Sequence, residues 1–342
     1  MLLTLPSVLG LYWTDLVNDM MIYAVLALSL NVILGHCGLF HMGHAAFYAV
    51  GAYTTAILAT RFDVPILLTL PLAGALAGLF ALLVARPIIH LRGDYLLVVT
   101  IGIVEIVNIA LKSNIFGLTG GANGLLILNP ISIFGHEIVS PVDFYYFILL
   151  ILAVTILLFY LAQNSRFGRA LNYIKQDELA AESTGVNTAH YKLAAFVLGA
   201  VWAGMLGTVF AAKIETVSPG SFSYAQSVLL FAIVILGGPG SITGVLLGAF
   251  LIISLPEIFR DLQNYRMLVF GAAMVAMMIF RPQGLMPPGR RRYKVGQFLG
   301  RFPAGAALRR NKQLEGADPT ALTDPADLPS LADLANGEGK GR

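Results

Sequence analysis

Charge is what this chain has least of. Only 12% of its 342 residues are Asp, Glu, Lys or Arg, against roughly 25% in an ordinary water-soluble domain. Hydrophobic residues make up 57%, and the mean hydropathy is +0.77. That much apolar surface excludes a soluble globule of this length and points to a membrane protein. A single cysteine excludes an internal disulfide. No Lys or Arg precedes Arg61, so the basic n-region of a cleaved signal peptide is missing and the N-terminus is expected to stay in the mature protein. There is no G-x-x-x-x-G-K-[ST] phosphate loop, and no Ser-His-Asp arrangement supports an enzyme.

Apolar runs are abundant. A membrane-crossing helix needs about 20 mostly apolar residues, and runs near that length predict spans at 20–35, 39–60, 64–85, 94–114, 142–161, 191–213, 222–238, 241–258 and 264–281. The runs are continuous rather than alternating, so the expected fold class is all-α, a polytopic helix bundle with about 8 to 10 spans, some of them broken or re-entrant. Residues 1–19 form a lead segment, 20–287 the transmembrane domain with a polar loop at 162–192, and 288–342 a tail too polar to bury a core.

Basic residues orient the bundle. Arg86 and Arg92, then Arg166, Arg169, Lys175 and Lys192, then the run from Arg281, all fall inside if two spans separate the first pair of groups and four the second. The C-terminus is then cytoplasmic and the N-terminus outside. The basic part of the tail either obeys the positive-inside rule as a solvated segment or lies on anionic lipid.

The stretch VILGHCGLFHMGHAAFYAVGAYT, residues 32–54, invites a metal reading, because Cys37, His41 and His44 would share one face of a helix at i, i+4 and i+7. The competing reading is a glycine-spaced packing surface at a helix break, with Gly35, Gly38 and Gly43 as its hinges. Glycines recur at Gly120 and Gly121 in LTGGANG, beside Thr119 and Asn123, and at Gly237, Gly238 and Gly240 in GGPG, where either an ordinary tight turn or a broken helix is expected. In the fourth span Glu105, Asn108 and Lys112 fall at i, i+3 and i+7; intramembrane charge usually faces protein or a water-filled cavity, which predicts an interior place for Glu105.

The polar loop at 162–192 is too long to be a turn. Within it KQDELAAEST reads as a short helix stopped by Gly185, presenting Asp177, Glu178 and Glu182 beside a small-residue face of Ala180 and Ala181.

FGRALNYIKQDELAAESTGVNTAHYKLAAF resembles the cytoplasmic coupling segment of the branched-chain amino acid type ABC permeases. Four more stretches agree in order: NVILGHCGLFHMGHAAFYAVGAY, LRGDYLLVVTIGIVEI, LTGGANGL and ILGGPGSITGVLLGA. The resemblance covers about residues 20–287 and is closer to the M-type subunit than to the H-type. It departs from the family pattern at His41, where a small polar residue is usual, and at Cys37, whereas His44 and the glycines fit.

The resemblance implies a permease subunit in a bacterial inner membrane that pairs with a second, H-type permease, two cytoplasmic ABC ATPases and an external substrate-binding protein. ATP and magnesium would be held by the ATPases, leaving no cofactor, metal or nucleic acid for this chain, which contacts membrane lipid. It assigns ATPase coupling to Gly168, Arg169, Asp177, Glu178, Ala180, Ala181, Glu182 and Gly185; the translocation-path or gate candidates, taken from polar residues within or beside the spans, are His44, Glu105, Asn108, Thr119 and Asn123. Relatives of similar sequence carry urea, amides or other amino acids, so the solute stays open. A more distant alternative is an ion-coupled secondary transporter with Glu105 as its coupling carboxylate.

Overall fold

The computed structural model describes residues 5–258 except 92, 115–116, 128–129 and 134–135, and after them only 271, 272, 275, 279 and 284–286. Residues 1–288 make one compact unit. The ninth expected span, 264–281, falls mostly outside the described residues, as do Arg92, Arg281 and the tail.

Among the described residues, ten α-helices carry the fold: α1 Leu5–Asn31, α2 His44–Phe62, α3 Ile66–Ile88, α4 Asp94–Lys112, α5 Pro141–Asn164, α6 Arg166–Gln176, α7 Glu178–Ser183, α8 Thr188–Ile214, α9 Tyr224–Gly237 and α10 Ile242–Ile258. Eight of them, all but α6 and α7, fall on the first eight expected spans, and the protein is an all-α polytopic membrane bundle. Five described segments are long and apolar enough to cross a bilayer, namely Gly10–His36, α3, α4, α5 and α8, with α9 and α10 shorter.

One boundary moves. The first span begins near Gly10 rather than at residue 20, so much of the expected lead segment is helix. Asp15 and Asp19 lower the hydropathy of that stretch, but Lys213 from the end of α8 lies 3.0 Å from Asp15 and 2.5 Å from Asp19, and paired charge is tolerated where lone charge is not.

Helix directions alternate strictly. Lys213 meets Asp15 and Asp19 at one end of the bundle, where Asn18 also donates to the Pro141 carbonyl at the start of α5. At the other end, Lys175 of α6 reaches the Gly35 carbonyl just past α1. The Thr55–Thr208 hydroxyl pair sets α2 parallel to α8, and Gly51 packs on Gly204 one turn earlier. Gly74 faces Met205 and Gly78 faces Val201, so α3 runs antiparallel to α8. Gly237 meets Gly244 where α9 turns back into α10. Helices α1, α3, α5 and α9 therefore descend toward α6, and α2, α4, α8 and α10 ascend from it.

Small residues set the closeness of this packing. A Cβ on Gly51 would fall on the Gly204 backbone, and one on Gly207 would lie 2.6 Å from the Tyr48 carbonyl oxygen. In lipid, where burial of apolar surface between helices brings little gain, such backbone approach supplies the van der Waals contact. Helix α1, packed by α5, α8, α9 and α10, is the most enclosed, whereas α3 turns Leu68, Leu72, Leu76, Leu79 and Leu83 outward.

At the Lys213 end the chain also forms short strands, which the apolar runs did not reveal. Leu125–Leu126 (β1) pairs antiparallel with Thr216–Val217 (β4), and Ile131–Ile133 (β2) with His136–Ile138 (β3). From β4 the chain dips inward through a 3-10 turn at Pro219–Phe222, whose Phe222 is buried against Tyr48, Tyr53 and Phe210.

Candidate functional site

Two helix breaks and one amphipathic segment meet at the α6 end. Helix α1 widens into a π-turn at Val32–His36, then leaves helical geometry until His44. The helical face on which Cys37, His41 and His44 would line up does not form, since Cys37 to Gly43 is not helix and i, i+4 spacing has no meaning there. Among the described residues no three His, Cys, Asp or Glu side chains gather as metal ligands would.

The glycines act as backbone hinges. Gly38 has φ 75°, and its position is closed by the side chain of Lys175, whose Cγ would lie 2.9 Å from any added Cβ. Gly35 is wedged between Asn31 and the backbone of Gly240, and Gly43 precedes the first turn of α2. The second break, Gly238-Pro239-Gly240, has φ 112° at Gly238 and 95° at Gly240. Asn31 Oδ1 accepts from Gly240 N at 2.8 Å, so the two breaks are stitched together. Leu285 N and Met286 N donate to the carbonyls of Leu236 and Gly237, which adds a third strand of chain to the same junction.

Above the first break, His44 is fully buried and its Nε2 lies 2.7 Å from Ser29 Oγ. His41 is equally buried, stacked on Phe47 at 5.6 Å and edge-on to Phe196 at 4.9 Å, with neither ring nitrogen hydrogen-bonded. The pattern of glycines announced this break; of the rings around His41, Phe47 is close in sequence, whereas Phe196 comes from α8 and had no local signal.

The polar loop folds as two helices rather than one. Asp177 interrupts it: its backbone is extended, and its carboxylate accepts from Ala180 N at 3.1 Å, capping α7. Ser165 caps α6 through Gly168 N, and Asn187 caps α8 through His190 N. Gly185 has φ 84° and ends α7, as a helix-stopping glycine does. Gly168 packs against the Gln163 and Ala162 carbonyls, where a side chain would collide.

The charged residues of the segment serve its own architecture. Glu178 pairs with the buried Lys192 of α8 at 2.5 Å, Glu182 accepts from Thr188 at 2.7 Å, and Arg169 donates to the Asn164 carbonyl at 3.0 Å. Ala180 is exposed and Ala181 buried, so the two do not share an outward face. What the segment does turn outward is apolar: Leu179 is 65% exposed and Tyr173 56%. At the α7–α8 corner lies an open cavity of about 450 Å³ lined by Ile89, His90, Glu178, Glu182, Asn187 and Lys192. Partial desolvation lowers the Lys175 pKa from its usual value.

The other expected path residues scatter. Asn108 is buried and donates to the carbonyls of Pro219 and Phe222 at 2.7 and 3.4 Å, holding the inward dip in place. Glu105 is not in the interior: it lies on the exposed side of α4 with Val98, Ile106 and Ile109, and Lys112 is exposed too. Asn108 continues the buried stripe of Leu96, Thr100 and Val104 at four-residue spacing, whereas Glu105, one residue past Val104, sits at the edge of that stripe and is exposed. Thr119 Oγ1 donates to the Leu111 carbonyl at 2.7 Å, closing the end of α4, and Asn123 is exposed in the turn Gly121–Asn123. Gly120 and Gly121, with φ 70° and 62°, shape that turn at the Lys213 end.

Comparison with known proteins gives a consistent picture. The family model described as branched-chain amino acid transport system, permease component, matches residues 12–278. The high-affinity branched-chain amino acid transport system permease protein LivM of Escherichia coli K12 is 40% identical over 304 residues, covering 82% of this chain and 71% of the relative. BraD of Pseudomonas aeruginosa, a permease protein of the same description, is 24% identical over 80% of this chain and 95% of its own. LivH of E. coli K12 is 24% identical over 77% and 91%. No solved structure matches.

Proposed function

The chain belongs to the family of permease components of branched-chain amino acid transport systems, and from that premise we propose that it is one of two permease subunits of an ATP-driven ABC importer in a bacterial inner membrane. Its partners are a second, H-type permease, two cytoplasmic ATPases that bind ATP and magnesium, and an external substrate-binding protein that delivers branched-chain amino acids. The excess of basic residues at the α6 end, with Arg86, Arg166, Arg169 and Lys175, supports that end as cytoplasmic, and the C-terminus then follows inside.

The observation that carries this reading is the α6–α7 segment. It is braced against the bundle by the Lys192–Glu178 pair and offers an exposed apolar knob, Leu179 and Tyr173, at the cytoplasmic face. A braced knob can transmit a push, which a floppy loop cannot. The ATPase seat is assigned to Leu179, Tyr173 and Ala180, while Asp177, Glu178, Glu182, Gly168 and Gly185 shape the segment that presents them. Glu105 is reconciled with its exposed place on α4 if that face turns toward a second subunit and a hydrated path rather than lipid.

The test is reconstitution of this chain with an H-type permease, two ABC ATPases and a substrate-binding protein from the same organism, followed by uptake of labelled leucine. Uptake that needs ATP and all partners is the expected result. Uptake by this chain alone under an ion gradient would overturn the proposal in favour of a secondary transporter.

A further inference from the structure

Resting on the importer reading above, we propose that Lys175 is a positioning residue that couples movement of the α6–α7 segment to the paired helix breaks at Gly35–Gly38 and Gly238–Gly240. Where α1 ends in its π-turn, the Gly35 carbonyl has lost the donor a continuing helix would supply, because Leu39 N turns back to the Ile33 carbonyl instead. The Lys175 ammonium takes that vacancy at 2.7 Å, and its aliphatic stem lies over Gly38. One side chain thus grips the break at both ends, and a cation at a helix C-terminus is further favoured by the helix dipole.

From the break the contact continues. Gly35 is pressed between Asn31 and Gly240, and Asn31 accepts the Gly240 amide. A displacement of α6 along its axis therefore pulls on the end of α1 directly and on the α9–α10 turn through one hydrogen bond. Both breaks hold residues at positive φ, at Gly38, Gly238 and Gly240, where small rotations are absorbed without a side chain in the way. Asn172 of α6 meets the same break through a side-chain hydrogen bond to His36, so Lys175 acts beside a second, uncharged link.

The chain carries its own reporter. Cys37, its single cysteine, sits buried inside the first break. In the full reconstituted transporter, we expect maleimide labelling of Cys37, read by peptide mass spectrometry, to differ between the nucleotide-free and ATP-hydrolysing states. Lys175→Met should abolish that difference and lower the number of solutes moved per ATP by about tenfold, the factor matching loss of one charge-assisted hydrogen bond. Lys175→Arg should restore most of both, since it keeps the charge and the stem. Gly38→Ala, which attacks the same contact from the other side, should uncouple likewise.

A wild-type transport-to-ATP ratio in Lys175→Met, or ATP-dependent labelling of Cys37 that survives it, would overturn the inference. So would loss of ATPase subunits from the Lys175→Met complex, which would make the lysine part of the docking surface. A wild-type complex without ATP-stimulated uptake would instead fail the importer reading itself, and this inference would fall with it.

Discussion

Removing the Glu178 carboxylate should loosen the α7–α8 corner by an amount that can be worked from its surroundings. Lys192 keeps only 4% of its side chain exposed and Glu178 24%, at 2.5 Å separation. Cutting a fully buried pair from one side costs about 3 to 5 kcal/mol because the abandoned charge has no water. Solvent reaches the glutamate side here, which reduces the expected cost of Glu178→Ala to about 2 kcal/mol. That energy is roughly a thirtyfold increase in local opening. Hydrogen exchange of the 178–192 amides in lipid nanodiscs should accelerate by about that factor, with the amides of α2 unaffected. The double variant Glu178→Leu with Lys192→Met should recover to within about 1 kcal/mol, since an apolar pair of similar volume leaves no stranded charge. Exchange in Glu178→Ala within about threefold of the wild type would refute the assignment of this pair as the brace of the segment.

Other outcomes follow from the same geometry. Leu179→Ala should weaken ATPase association at least about tenfold while leaving exchange in 178–192 unchanged, measured by co-purification and hydrogen exchange together. Gly204→Leu should lower the unfolding temperature in detergent sharply, by more than the roughly 1 to 3 kcal/mol of ordinary overpacking, because the added Cβ alone lies 2.7 Å from the Ala73 carbonyl oxygen. Asn108→Ala leaves the Pro219 and Phe222 carbonyls without their donor and should cost about 1 to 3 kcal/mol, seen as faster proteolysis in 215–223. A cysteine placed at Glu105 in a Cys37→Ser background should react with a charged, membrane-impermeant thiol reagent in the assembled importer; complete protection there would remove Glu105 from the transport path.

Apolar runs and glycine spacing carried most of the architecture, because in lipid both the length of a helix and its closest approaches are written locally. The break at 32–43 and the helix stop at Gly185 were legible for that reason, whereas the interruption at Asp177 that splits the polar segment into α6 and α7 was not. What escaped depends on distant partners. Residues 10–19 read as a lead segment because hydropathy counts Asp15 and Asp19 against them, and their compensating Lys213 lies 194 residues beyond Asp19. Glu178 read as part of an outward charged face because nothing near it in sequence announces that Lys192 is buried and claims it. Glu105 read as interior on a rule about lipid-exposed charge that assumes one subunit; its exposed place is a property of the chain considered without a partner.

The Lys213 clasp on α1 also has a consequence for how the protein is made. The helices that α1 packs against among the described residues, α5, α8, α9 and α10, are all synthesised after it. At roughly 5 to 20 residues per second, the ribosome needs about 10 to 40 s to travel the 194 residues from Asp19 to its lysine. Throughout that interval Asp15 and Asp19 have only water for a partner, so the ion pairs that fasten the start of α1 form as a late step of assembly, once the end of α8 is made.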